Sequence, residues 1–383
     1  MNRPIPTLLL SLTLGLGGAA APTFVLAQPA AAGASQQQLA WNKRTAESLR
    51  AALREANRHG LDATPLLKRI DSAKGDIAYQ TALNSAALTY ARALSTGAVD
   101  PDKLFGIYTL DRPTSDLSGG LARALQRGDV RGWLESLAPQ DAEYKALSQA
   151  YLGASGERAM QLAANLERRR WLARGAAARR IDVNTAANFL HYIKGGEVAR
   201  RVTVVTGKTA SPTPQIGSTM TRLVVNPPWN VPEKIARNEI LPKGRGYLRA
   251  NNMYVTGGRV VQRPGPSAAL GLVKFDLDNP YAIYLHDTPS KKYFESADRH
   301  RSHGCVRVKD AVEFARMLAE EDGMGAEFEE DLGSGDTATV NISDLPVRLL
   351  YHTAYLDESG QVAFAADAYG WDKKVAAALK PLG

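Results

Sequence analysis

The only thiol in the chain, Cys305, and three of its six histidines fall within residues 286–305. The segment reads Tyr284-Leu285-His286-Asp287-Thr288, then a polar loop, then Ser302-His303-Gly304-Cys305-Val306-Arg307. A thiol at its ordinary pKa is mostly protonated at neutral pH, yet the thiolate is the nucleophile, so a reactive cysteine needs a base or a cation beside it. Histidine is the side chain suited to that task. The chemistry to expect is therefore acyl transfer, with Cys305 as nucleophile and His286 as proton acceptor and donor. Gly304 permits a tight turn and leaves room for a substrate carbonyl, and backbone amides at such turns stabilise oxyanions. A zinc site built from His286, His303 and Cys305 would lack a second cysteine pair, so no metal and no other cofactor is expected. Arg299 and Arg301 raise the positive potential near the thiol. His300 reads as a solvated loop residue, and His59, His191 and His352 as structural or surface histidines.

These groups must be held by ordered elements. The chain has 383 residues, 44% hydrophobic and 22% charged, which excludes wholesale disorder. Its net charge of +8 suits an anionic partner. No basic run interleaved with aromatics is present, so nucleic acid is not expected. Arg3, the apolar stretch Leu8–Ala21 and the small residues around Ala27 form a secretory signal, residues 1–27, followed by a linker over 28–35. The protein is thus expected to be exported, where a lone cysteine is either intermolecular or reactive.

From Gln36 to Trp171 the apolar spacing is helical, with helices expected over 74–94, 120–126, 131–137, 143–152 and 157–171. Asp141 and Ser155 stand at N-cap positions, and Gly60 and Pro65 read as punctuation. From about Ala178 the pattern changes to strands, over 180–184, 198–205, 222–226, 272–276, 281–286, 347–351 and 362–365, with helices over 308–320 and 372–379. His286 would then end a strand, and the fifteen residues between it and Ser302 allow the chain to fold back on it.

The run from His286 to Ser302-His303-Gly304-Cys305 resembles the signature of the L,D-transpeptidases, whose catalytic domain is of the YkuD type. Further segments, among them Leu162–Trp171, Asn226–Pro232, Pro264-Gly265-Pro266, Leu270–Phe275 and Tyr369–Asp372, resemble the large-scaffold Gram-negative YcbB subgroup. The resemblance implies an α+β chain: an all-α scaffold over 36–177, a mostly β, sandwich-like catalytic domain over 178–325 with a lid at about 228–270, and a C-terminal extension, 326–383, packed on one or the other. The chain departs from that subgroup in two ways: the separate peptidoglycan-binding module expected before the catalytic domain has no room here, and the lid, stiffened by Pro264-Gly265-Pro266 and hinged at Gly257-Gly258, is shorter than expected; the location implied is periplasmic.

It also implies roles. Cys305 would form a thioester with a peptidoglycan stem peptide, releasing a terminal D-amino acid. The backbone carbonyl of Asp287 would orient His286. His303, Gly304 and Tyr284 would support the oxyanion, and Ser302, Arg307 and Trp229 would contact substrate, Arg307 alternatively bracing the loop and Trp229 alternatively serving as lid packing. Carbapenem-type β-lactams would acylate the same thiol, and the helical scaffold could recruit wall-synthesis proteins. Hydrolysis in place of cross-linking, as an L,D-carboxypeptidase or endopeptidase, and a non-catalytic wall-binding scaffold are the competing readings.

Overall fold

The computed structural model describes residues 41–383; the expected signal peptide and linker lie outside the described residues. The first part is a helical layer: α1 (Lys43–Arg54), α2 (Thr64–Ser72), α3 (Asp76–Thr96), α4 (Pro101–Leu104), α5 (Leu117–Arg127), α6 (Val130–Leu137), α7 (Ala142–Leu152) and α8 (Gly156–Trp171). The caps explain the starts. The Asn42 side chain accepts from Thr45 N while Thr45 reaches back to the Asn42 amide, a capping box, and Asp116, Asp129 and Asp141 accept from the third residue of their helices. Ser155 makes no such bond. Pro65 begins α2, because a proline in the first turn has no amide to waste. The apolar faces meet around Leu49, Leu66, Ile70, Leu83 and Leu134, all buried.

Strands β1 (Arg180–Asn184), β2 (Phe189–Lys194), β3 (Glu197–Gly207) and β4 (Gly217–Val225) follow. The 228–270 segment has its own small sheet, β5 (Trp229–Asn230), β6 (Met253–Thr256) and β7 (Arg259–Gln262), with helices α9 (Glu233–Ile235) and α10 (Gly244–Ala250). Val231, Ala236, Ile240, Met253 and Val260 form its private core. Gly257 and Gly258, both at positive φ, make the two-residue turn between β6 and β7, so they are a hairpin tip and not the expected hinge. The chain then runs through β8 (Val273–Leu277), β9 (Leu285–His286), β10 (His300–Ser302), β11 (Val306–Val308), α11 (Ala311–Glu321), α12 (Gly325–Ser334), β12 (Ala338–Leu350), β13 (Ala354–Leu356), β14 (Val362–Phe364) and α13 (Trp371–Ala378).

The nine-stranded sheet has the order β10-β3-β11-β9-β8-β4-β12-β1-β2, and β2 pairs again with β3, so the sheet closes on itself. Inside lie Val204, Leu223, Phe275, Leu285, Val306 and Val308, packed with Phe314 and Leu318 of α11. Each such residue alternates with an outward neighbour, the period of a half-buried strand. A boundary at residue 325 is therefore wrong. Strand β12 pairs with β4 on one side and β1 on the other, and removing it would open the sheet. Similarly, the expected strand 281–286 shrinks to Leu285–His286. The Asn279 side chain takes the amides of Tyr281 and Ile283, and Ala282 adopts φ +54°, which no strand allows.

Helix α8 ties the layers together. Three residues, 153–155, separate it from α7, so no module is inserted there. Its Glu167 accepts from Val99 N (2.7 Å), Trp171 Nε1 (3.0 Å) and Arg170, and Arg170 also donates to His59 O (2.7 Å). On the other flank Arg168 pairs with Asp372 of α13, whose carboxylate also accepts from Thr353 Oγ1 (2.6 Å). All four charged side chains are at most 1% exposed. Among the described residues Arg168 Nε and Nη2 and Arg170 Nε have no hydrogen-bond partner, so the compensation is partial, and the Arg168 guanidinium also lies 5.2 Å from the Tyr351 ring.

Candidate active site

Strands β8, β9 and β11 lie side by side, and their register decides which side chains meet. His286 stands opposite Lys274 on one neighbour and Arg307 on the other. Tyr284 and Cys305 lie two residues before His286 and Arg307, so all five project from the outer face, opposite the Phe275–Leu285–Val306 core. The Tyr284 and His286 rings meet edge to face at 5.7 Å. Lys274 Nζ lies 5.4 Å from the Tyr284 ring and pairs with Asp276 at 2.8 Å.

His286 is buried, and its Nδ1 lies 2.5 Å from the carbonyl of Asp287. That contact fixes the tautomer: Nδ1–H donates, leaving Nε2 as the base. The carbonyl is itself fixed, since Asp287 N donates to Val273 O (2.9 Å) and its carboxylate takes the amide of Leu272 (3.0 Å) and the ammonium of Lys291. Gly271 makes this possible. It sits at φ +61°, and a Cβ there would stand 2.2 Å from Asp287 Oδ2. Burial and the facing charge of Arg307 push the imidazole pKa down to about 3, so His286 is neutral at physiological pH.

Cys305 follows Gly304, whose φ of +123° is one that L side chains rarely adopt. Thr213 Oγ1 donates to the Gly304 carbonyl (2.8 Å), and Ser302 Oγ accepts from Gly304 N (3.1 Å) and donates to Cys305 O (2.5 Å). The thiol donates to Ala282 O at 3.5 Å and not to the imidazole. Burial raises its pKa above the ordinary value; the amide and hydroxyl of Tyr284 and the charges of Arg307 and Lys274 oppose that rise. The resting pair is thus a neutral thiol beside a neutral base, with a phenol and two cations around the sulfur. Such an arrangement can deprotonate the thiol as it attacks a carbonyl and spread the resulting negative charge.

Comparison with known proteins agrees with this geometry. Residues 178–342 match the L,D-transpeptidase catalytic domain, and residues 33–150 match a scaffold domain. A Haemophilus influenzae protein that carries the L,D-transpeptidase name is 30% identical over 299 residues, 70% of this chain. This chain spans 60% of that relative's length. Among solved structures, the catalytic domain of the Enterococcus faecium L,D-transpeptidase acylated by ertapenem is 14% identical, covering 45% of this chain and 95% of that one, with a TM-score of 0.25. Mycobacterium tuberculosis L,D-transpeptidase 1 is 14% identical, covering 45% of this chain and 61% of that one, with a TM-score of 0.22.

Within the matched domain the other expected residues divide. Ser302 is 2% exposed and spends its hydroxyl inside the turn, so it braces the Cys305 turn and is not placed to meet substrate. His303 points outward, its Nε2 2.9 Å from Glu239 of the lid and 3.2 Å from Lys208 Nζ, so it ties the lid to the nucleophile turn. Trp229 is half-buried among the lid residues, and its indole interacts with the Tyr284 phenol. Arg307 lies over the Tyr293 ring at 5.6 Å, with Nε and Nη1 unpartnered among the described residues. Residues that sequence reasoning missed are Lys274, Thr213, Glu239 and Tyr369, whose hydroxyl donates to Gly207 O (2.7 Å) behind the turn. Only Lys274 left a signal, as the outward member of an alternating strand.

Proposed function

We propose that the chain is an exported peptidoglycan L,D-transpeptidase that uses Cys305. The observation that carries this reading is the common face of Tyr284, His286, Cys305 and Arg307, with His286 Nδ1–H held by the Asp287 carbonyl. His286 Nε2 takes the thiol proton as Sγ attacks the carbonyl carbon joining the L-centre of a stem peptide to its terminal D-residue. The Cys305 amide and Tyr284 stabilise the oxyanion. Collapse breaks the C–N bond, the imidazolium protonates the departing amine, and a thioester remains on Cys305. An amine of a second stem then attacks the thioester and loses its proton to His286, and the thiol is restored as the cross-link forms.

Arg307 supports the choice of substrate. Its charge acts on the thiol and supplies a positive field that favours a stem-peptide carboxylate. The lid adds to this field, with seven Lys and Arg against two Glu over residues 228–270, a net +5. A carbapenem carbonyl presented to the same thiol would acylate it in the same way.

Two measurements test the proposal. Intact mass after incubation with a stem tetrapeptide or a carbapenem should show one covalent adduct, lost in Cys305→Ala. Mass spectrometry of muropeptides should show dimers; shortened stems alone would make the enzyme a carboxypeptidase, and no change would overturn the assignment.

A further inference from the structure

Thr213 lies outside the strands of the active site, in the connection between β3 and β4, where the sequence reads Ser211-Pro212-Thr213-Pro214. Each proline fixes its own φ and biases the residue before it toward extended backbone, so the segment is stiff. The β-branch of threonine restricts χ1 as well, which leaves the hydroxyl few directions. Both ends of the segment are tied down. On one side Gly207 N donates to Thr213 Oγ1 (2.9 Å), and the Tyr369 hydroxyl donates to Gly207 O (2.7 Å). On the other, Thr109 N donates to Gln215 O (3.1 Å). A Cβ on Gly207 would stand 2.2 Å from Ser211 O, so the loop packs directly on the end of β3. Thr213 itself is fully buried.

The single hydrogen of that hydroxyl goes to the Gly304 carbonyl (2.8 Å). Gly304 and Cys305 present four backbone polar groups. Ser302 Oγ takes the Gly304 amide (3.1 Å) and donates to the Cys305 carbonyl (2.5 Å), while Thr213 holds the Gly304 carbonyl. The fourth group, the Cys305 amide, donates to no partner among the described residues. The peptide joining the two residues is planar and trans, so its C=O and N–H point in opposite directions. With the carbonyl held inward by a buried hydroxyl, the Cys305 N–H is turned away from Thr213 and outward. Glycine offers little steric resistance to rotation of that plane, so the hydroxyl sets its direction more than the backbone does.

We propose that Thr213 is a positioning residue for acyl transfer: its hydroxyl sets the plane of the Gly304–Cys305 peptide and so aims the Cys305 amide at the oxyanion formed on the attacked carbonyl. The inference rests on the function argued above, in which Cys305 carries the acyl group. Thr213 makes no hydrogen bond to Cys305 or His286 and acts through this one peptide. An amide tilted off the oxyanion is lost to the transition state even where the fold is intact. Tyr369 extends the support. Three hydrogen bonds run from its hydroxyl through Gly207 and Thr213 to the Gly304 carbonyl, and so join the chain leading into α13 to the oxyanion donor.

The test compares two reactions of the same thiol in the full chain. Acylation by a stem tetrapeptide or a carbapenem passes through an oxyanion, whereas alkylation by iodoacetamide does not. Thr213→Val keeps the side-chain shape and removes the hydroxyl. It should slow acylation at least about tenfold while alkylation stays within about twofold, and Thr213→Ser should return acylation to within about threefold of the parent. The carbonyl stretch of the acyl-enzyme should move to higher frequency in Thr213→Val, because the amide no longer polarises it. An unchanged ratio of acylation to alkylation in Thr213→Val would overturn the proposal. Should that variant not fold, Tyr369→Phe decides by the same ratio, which should fall by a smaller factor and would overturn the proposal by staying constant. A parent that iodoacetamide alkylates but neither a stem peptide nor a carbapenem acylates would overturn the transpeptidase reading and this inference with it. An acylated parent with a constant ratio overturns only the role of Thr213.

Discussion

The protonation state of the resting site can be tested directly. Burial holds the thiol of Cys305 above its ordinary value of 9.0, so less than about 1% is thiolate at pH 7. His286 is neutral down to about pH 3. Moving the proton from such a thiol to such an imidazole is uphill, since the thiol is held above its ordinary value and the imidazole below its own. The free enzyme should therefore not contain a thiolate–imidazolium pair. Arg307 faces both groups, and its positive charge lowers both pKa values. Arg307→Met should raise the His286 pKa and raise the thiol further. Thiolate absorbance near 240 nm and the NMR titration of the His286 ring are the assays. The parent should gain thiolate only above pH 9 and show no His286 transition between pH 5 and 8; the variant should show the imidazole transition shifted upward. A thiolate plateau at pH 7 in the parent, or an imidazole transition near 6.5, would refute the reasoning. A substrate carboxylate on Arg307 would do transiently what the substitution does permanently, making His286 a stronger base only when a stem peptide is bound.

Acid should destabilise the fold. His59 and His286 stay neutral to about pH 3 and His352 to well below 6.5, all mainly through burial, whereas the unfolded chain protonates them near 6.5. Unfolding then takes up three protons, so stability should fall with pH below 6.5 by as much as about 4 kcal/mol per unit, read from urea titrations at pH 7, 6 and 5. Asp372→Ala strands the Arg168 guanidinium inside the protein and should cost about 3–5 kcal/mol in the same assay. Gly271→Ala places a methyl against the Asp287 carboxylate at a positive φ; it should cost about 1–3 kcal/mol and reduce kcat more than KM, because the His286 support moves. Glu239→Gln removes an exposed contact worth at most about 1 kcal/mol, so the unfolding midpoint should hold while amide exchange in residues 233–250 speeds up.

That Cys305 and His286 share one face was legible because the signal is local. A lone thiol, a strand-ending histidine and a glycine before the nucleophile sit within twenty residues. Helix α3, expected over 74–94, runs Asp76–Thr96, and β1 runs Arg180–Asn184 as its alternation predicts. What failed depended on distant partners. Strand β2 was missed because Phe189–Lys194 is mixed in polarity and reads as a strand only once β1 and β3 flank it. The break at residue 325 followed a change in composition, yet β12 beyond it is wanted by two strands that come before it in the chain.

The buried charges of α8 show the same limit from the side of energetics. Arg168-Arg169-Arg170 ends the helix and reads in sequence as a solvated basic turn that also suits the helix dipole. In the structure Arg168 and Arg170 are the largest buried side chains after Trp171, and each faces a different layer, Asp372 on one flank and Glu167 with His59 on the other. A charge is tolerated inside a protein only where partners converge on it, and those partners come from residues 59, 167 and 372. Glu167 is a local neighbour, but no local window contains residues 59 and 372. The scaffold and the sheet are therefore joined by a buried network whose geometry leaves little room for sliding, whereas the lid, tied by exposed contacts such as Glu239 with His303, is the part free to move.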